Sequence, residues 1–140
     1  MSAKENFSFY YGYEAEQYSY YRIPKLLMTD ARFQDLSVES KLLYGMMLDR
    51  MSLSIKNEWM DDDGKVYIYF PVEEVMEKLH CRTEKATHLF AELDSKKGIG
   101  LIDRIRQGQG KPSRIYVKNF SSGGYPTKKT KSTGEKKKKV

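Results

Sequence analysis

The sequence predicts an α+β fold, a winged helix-turn-helix carrying an N-terminal β-hairpin arm. Three observations point to it. Two helical patterns, Val72–Leu79 and a longer one over 83–97, are separated only by His80-Cys81-Arg82. Two basic, strand-like runs at 101–107 and 114–118 follow and are joined by a Gly-rich tip, which is the order of a helix-turn-helix and its wing. Charge is also sorted along the chain. Residues 1–77 hold 8 basic and 14 acidic side chains, 78–120 hold 10 and 4, and 121–140 hold 7 and 1. Basicity therefore coincides with the second helix and the wing, a pattern that favours a polyanionic partner over mere solubility.

Residues 1–22 form the arm. Phe7, Phe9, Tyr11 and Tyr13 share a period of two, as do Tyr18 and Tyr20, with Glu14-Ala15-Glu16-Gln17 as the turn between them. Such an arm can cover its own core, but a domain this small has little interior for so many rings. Tyrosine suits interfaces because it joins contact area to a polar tip, so these six aromatics are the expected dimerisation residues.

The domain proper covers 23–120. Pro24 suits the first turn of a short helix over 25–28. Ser37 is an expected N-cap with Glu39 in the first turn of the next helix. Leu42, Leu43, Met46, Met47 and Met51 make that helix apolar over much of its circumference, as a central core helix requires.

Trp59-Met60 and the run 66–70 flank Asp61-Asp62-Asp63-Gly64-Lys65, an Asp-Gly hairpin signal. The three aspartates do not make an EF-hand, since aligning Gly64 with the loop glycine puts Trp59 at the first ligand position and Phe70 at the last. A turn with solvated charges is the better account.

Pro71 opens the first helix of the motif, with Val72, Val75, Met76 and Leu79 facing inward and Glu73, Glu74 and Glu77 outward. In the second helix Ala86, Leu89, Phe90 and Leu93 recur at i, i+3, i+4, i+7 and make one buried stripe. The opposite side carries Glu84, Thr87, His88, Ala91 and Ser95, with Arg82 and Lys85 at the entering end. A small, polar face with cations at its N-terminus suits a major groove. A solvated surface is the plainer reading of such a face on a helix taken alone.

Gly98 and Gly100 mark the passage into the wing. There Ile105, Ile115 and Val117 are expected to face the domain, and Arg104, Arg106, Arg114 and Lys118 to face outward or sideways. Gly108-Gln109-Gly110-Lys111-Pro112 makes the tip. Charges also protect edge strands from aggregation. Four cations beside a polar helix favour DNA, because such a tip can lie along phosphates or enter a minor groove. Residues 121–140, with seven lysines in the last thirteen positions, read as a disordered linker or tail that adds attraction to phosphates.

Catalysis is not expected. The two histidines, His80 and His88, form no His-x-His pair for a metal-assisted tyrosine nuclease. Cys81 lacks an orienting partner, and Gly108-Gln109-Gly110-Lys111 lacks the spacing of a nucleotide phosphate loop. Neither a metal nor a cofactor is implied. No apolar run approaches the ~18 residues of a membrane span, and one cysteine agrees with a reducing, cytoplasmic setting.

Several pieces in order then resemble a known family. Tyr21-Arg22-Ile23-Pro24-Lys25, Leu36-Ser37 followed by Lys41-Leu42-Leu43-Tyr44, Leu48-Asp49-Arg50-Met51, Trp59 with Asp61-Asp62 and Gly64, Val66-Tyr67-Ile68, Glu73-Glu74, Gly100-Leu101-Ile102 and Gln107-Gly108-Gln109-Gly110-Lys111-Pro112 are similar to the N-terminal domain of RepA_N-type plasmid replication initiators of Gram-positive bacteria. The resemblance covers about 9–120. It implies a winged helix-turn-helix that binds tandem double-stranded origin repeats as a homodimer, in a longer initiator whose C-terminal domain meets host replisome proteins. By position it puts Arg82, Thr83, Lys85, Thr87 and His88 at the start of the recognition helix, and Arg104, Arg106, Gln109, Lys111 and Arg114 in the wing. The alternatives are a winged-helix transcription regulator, which shares every feature read from the residues, and a module that uses the winged fold and the tyrosine arm to dock a replisome partner without touching DNA.

Overall fold

The computed structural model describes residues 6–12 and 19–119. Its helices are α1 (Leu26–Thr29), α2 (Val38–Lys56), α3 (Val72–Leu79) and α4 (Thr83–Leu93), followed by the antiparallel strands β1 (Ile102–Ile105) and β2 (Arg114–Val117). A 3-10 turn, Ala31–Phe33, stands between α1 and α2 and is capped by the Asp30 carboxylate, which accepts the Arg32 N–H at 2.8 Å.

Helix α2 forms the centre. The Ser37 hydroxyl caps it by accepting the Ser40 N–H at 3.1 Å. Leu43, Tyr44, Met46 and Met47 are buried along it. Gly45 has a specific role, because a Cβ there would stand 2.2 Å from Ile23 Cδ1. The chain entering the domain thus crosses α2 at its one residue without a side chain.

The 59–68 segment makes the expected turn. Met60 bridges Val66, Gly64 takes a positive φ of 84°, and Asp61 Oδ1 accepts the N–H groups of Asp63 and Lys65, each at 2.9 Å. Ile68 then pairs with Ile115 through two 2.9 Å backbone hydrogen bonds, which adds a short third rung to the sheet.

Helix α3 starts after Pro71 and ends at His80, whose left-handed backbone (φ 55°, ψ 52°) turns the chain into α4. Helix α4 ends at Leu93 rather than near 97. Asp94 is already extended, its Oδ1 accepts the Arg104 N–H at 3.0 Å, and the Ser95 N–H bonds to the Ile102 carbonyl. The turn then closes with Gly98 packed so tightly that a Cβ would lie 2.0 Å from the Glu92 carbonyl. Pairing with the wing thus competes successfully with a further helical turn.

The core joins Leu27 and Phe33 to Leu43 and Met47 of α2, Val75 of α3, Leu89, Phe90 and Leu93 of α4, and Ile102 and Ile115 of the sheet. Burial of these side chains, at roughly 25 cal/mol per Å² of apolar surface, is the main force holding the three principal helices to the sheet. Two polar locks supplement it. Arg50 donates to the Tyr69 carbonyl at 2.8 Å, grips the Glu74 carboxylate with both terminal nitrogens and lies over Phe70, which fixes α3 to α2. The buried Tyr44 hydroxyl donates to the Lys118 carbonyl at 2.6 Å, which fixes the end of β2.

The expected arm hairpin lies only partly within the described residues. Residues 6–12 and 19–22 contain no strand, and Tyr13, Tyr18 and the intended turn lie outside the described residues. Phe7 and Phe9 are 87% and 85% exposed, so neither is drawn onto the core. The tail at 121–140 also lies outside the described residues. Among the described residues, no helix is long and apolar enough to cross a membrane.

Candidate nucleic-acid interface

Helix α4 presents the two faces its periodicity implies. Ala86, Leu89, Phe90 and Leu93 are buried, and Arg82, Thr83, Glu84, Lys85, Thr87 and His88 are exposed together along the entering half. Arg82 is the N-cap residue and contributes no side-chain cap, which leaves first-turn N–H groups without a side-chain acceptor from their own cap. Two cations and a set of free backbone donors therefore share one helix end, an arrangement attractive to an anion.

The exposed face is tied to α2 at two points. Lys85 Nζ is 3.4 Å from Glu39 Oε2, where the Glu39 backbone N–H and then the Lys85 charge hold the carboxyl below its usual pKa. Further along, Glu92 reaches the N-terminus of α2. It accepts the Ser37 N–H at 2.7 Å, the Ser37 hydroxyl at 2.9 Å and the Ser40 hydroxyl at 3.1 Å. His88 Nε2 stands 3.4 Å from the same carboxylate. A negative group at the positive end of a helix is favourable, so Glu92 fixes how α4 is rotated and tilted against α2.

In the wing, the register pairs Ile102 with Val117 and Arg104 with Ile115. Ile102 is buried in the core, and the strand period of two therefore turns Arg104 inward with it. Ile105 comes out 46% exposed, the reverse of the expected arrangement. The half-buried Arg104 guanidinium sits 4.2 Å from the Phe90 ring centroid and links β1 to α4. Burial foremost, with Arg106 assisting, depresses its pKa against the pull of Asp94, and its buried Nε has no hydrogen-bond partner among the described residues.

Arg106 is exposed just beyond β1. Gln109 and Lys111 are exposed at a tip braced by Gln107, whose Nε2 donates to the Pro112 carbonyl at 2.9 Å. Gly108 and Gly110 take φ values of 126° and 79°, a backbone that side-chain-bearing residues rarely adopt. Arg114 stands apart from these. It lies on the outer face of the sheet, 4.2 Å above the Tyr67 ring.

The five helix residues are all exposed on the entering half of α4, with Thr83 turned to Met76 of α3 and Lys85 to Glu39 of α2; Arg104 attaches the wing to that helix, and Arg114 lies on the outer face of the sheet. Reading the residues alone missed Glu92 and its serine partners, which lie 55 and 52 positions apart with no local signal. Asp94 did carry a signal, since an aspartate opposes the dipole at a helix C-terminus and suits a turn.

Comparison with known proteins adds an independent line. The family model for the N-terminus of replication initiator protein A, RepA_N, matches residues 19–130. A 41 kDa protein of Lactobacillus helveticus is 31% identical over 104 residues, which cover 70% of this chain and 29% of the relative's length. Among solved structures, a Rep protein in a Rep-DNA complex superposes with a TM-score of 0.64 at 33% identity, covering 80% of this chain and 84% of the other. The N-terminal domain of a DNA binding protein gives 0.62 at 32% identity, with 81% and 85% covered. A structure described as the MDR initiator gives 0.62 at 28%, with 80% and 86% covered.

Proposed function

Because this chain belongs to the RepA_N family of replication initiator N-termini, we propose that it recognises double-stranded origin repeats of a plasmid, placing α4 in the major groove and the wing along the adjacent backbone. Arg82, Thr83, Lys85, Thr87 and His88 are the residues offered to the groove. Arg106, Gln109 and Lys111 follow the phosphates, with Arg104 behind them. The domain acts by binding and not by chemistry. Its aromatic arm, with Phe7, Phe9, Tyr11 and Tyr20 exposed and Tyr13 and Tyr18 in the same pattern, joins two copies on tandem repeats. Host replisome proteins are contacts of the longer initiator.

The observation that carries this reading is the uncluttered polar face of α4, cationic at its entering end and held to the wing by Arg104 on Phe90. An electrophoretic mobility shift with origin repeats against scrambled DNA at fixed salt tests it. Preference for the repeats, with footprints on each of them, is expected. Protection of a single promoter operator instead would assign a transcription regulator, and equal affinity for both DNAs would remove sequence recognition altogether.

A further inference from the structure

The outer face of the sheet carries a feature that duplex recognition does not use. Ile68 and Ile115 are paired and buried, so the period of two puts their neighbours Tyr67, Tyr69, Arg114 and Tyr116 on the opposite, solvent side. Trp59 joins them: its ring lies 13° from parallel to Tyr67, with centroids 6.5 Å apart, and meets Tyr69 edge-on at 5.6 Å. Tyr67 and Tyr116 are 6.2 Å apart. Two cations rest on this cluster, Arg114 at 4.2 Å from the Tyr67 centroid and Lys65 at 5.2 Å from that of Tyr116. Trp59 is 38% exposed, and the three tyrosines are half-buried.

We propose that this face is a platform for single-stranded DNA, with an unpaired base stacking on Trp59 and phosphates meeting Arg114 and Lys65, which Tyr67 and Tyr116 hold in place with their ring faces. Two physical points select that occupant. Aromatic rings exposed on a sheet can bind base faces only where those faces are free, and in a duplex the faces are already stacked on one another. Rings alone would suit an apolar partner, but two cations laid over them complement a phosphodiester chain. Asp61, engaged by its own turn, and Asp103, which pairs with Tyr116 on this face and is held by Ser95 and Lys118, are the acidic groups beside Lys65, and Asp62 and Asp63 are exposed at the tip of the 59–68 turn. The platform backs onto the sheet whose inner face packs against α4, so it stands independently of the duplex-binding reading.

Trp59 is the only tryptophan in the chain, which makes its emission a local reporter. The full chain is titrated with an oligothymidylate about 12 nucleotides long, within the size range such platforms cover. Saturable quenching of Trp59 is expected. By anisotropy of a labelled oligothymidylate, removing Tyr67 and Tyr116 together as Y67A and Y116A, which frees both cations from their rings, should weaken binding about tenfold. Lys65→Glu alters an exposed side chain, avoids any question of folding, and should weaken it several-fold. Duplex affinity, measured in parallel, should hold for all three changes. Absence of quenching, full retention of oligothymidylate binding by these variants, or an emission shift that follows protein concentration without DNA would overturn the proposal; the last would assign the face to self-association.

Discussion

The carboxylate of Glu92, in the last turn of α4, accepts the backbone N–H of Ser37 at 2.7 Å, at the very start of α2. One side chain of the candidate recognition helix therefore completes the cap of the central helix. Glu92→Ala leaves that N–H and the Ser37 hydroxyl without their acceptor, while the Ser40 hydroxyl keeps the Ser37 carbonyl, and should cost about 1–3 kcal/mol in urea unfolding. Glu92→Gln, which keeps an acceptor but not the charge, should cost less. Equal losses for the two variants would mean that the charge carries the whole interaction, and no loss for Glu92→Gln that the charge contributes nothing.

On DNA, Lys85→Ala and His88→Ala should each lose about 1–3 kcal/mol on the specific site and much less on random sequence. The Lys85 ammonium must first leave Glu39, 3.4 Å away. Both side chains are exposed, so a change in stability is not expected to confuse the result. Equal losses on both DNAs, measured by competition binding, would place these residues on phosphates.

Salt dependence separates positioning contacts from reading contacts. With roughly six phosphates engaged, log K should fall with log salt at a slope near −5, and Arg106→Ala should weaken all sequences alike while reducing that slope by about 1. A salt-insensitive affinity would contradict a surface that works by neutralising phosphates.

Arg104 should behave differently from Arg106, although both are wing arginines. Its guanidinium covers Phe90 and its stem is half-buried, so Arg104→Ala should lower stability by about 1–2 kcal/mol. Arg106, which is exposed, should cost less than about 0.5 kcal/mol when truncated. Chemical denaturation of the two variants distinguishes them, and matching stabilities would argue that the Phe90 contact holds nothing.

Tyr44 gives the fold an alkaline limit. Burial pushes its hydroxyl up to about 12, against an unfolded value of about 10. The folded state thus retains a proton that the unfolded chain gives up, so this stability is intact below about pH 10 and disappears as pH rises toward about 12, some 2–3 kcal/mol in all. Tyr44→Phe should flatten that part of the pH–stability curve while losing the bond to the Lys118 carbonyl. An unchanged alkaline curve would show that Tyr44 ionises without unfolding its surroundings.

The helices were legible because each depends on neighbours close along the chain. Val72, Val75, Met76 and Leu79, and Ala86, Leu89, Phe90 and Leu93, announce their inward-facing stripes by spacing alone, and α3 spans the residues its pattern marks. The Asp-Gly turn at 63–64 and the order of helix, helix and wing belong to the same class of local signal. The wing was half legible. Its alternation was visible, but which phase faces inward depends on Ile102 entering a core built by residues far away, and that choice reversed Ile105 and Arg104.

What the chain determined by itself, then, is the helices, the Asp-Gly turn and the wing, their order and the concentration of cations in its later part, because periodicity, turn chemistry and charge are short-range properties. Tertiary structure decided the rest. Only packing brought Glu92 to Ser37, laid Arg104 on Phe90 and put Arg114 with Trp59 and Tyr67 on the far side of the sheet, since such contacts depend on how whole elements dock rather than on any spacing along the sequence.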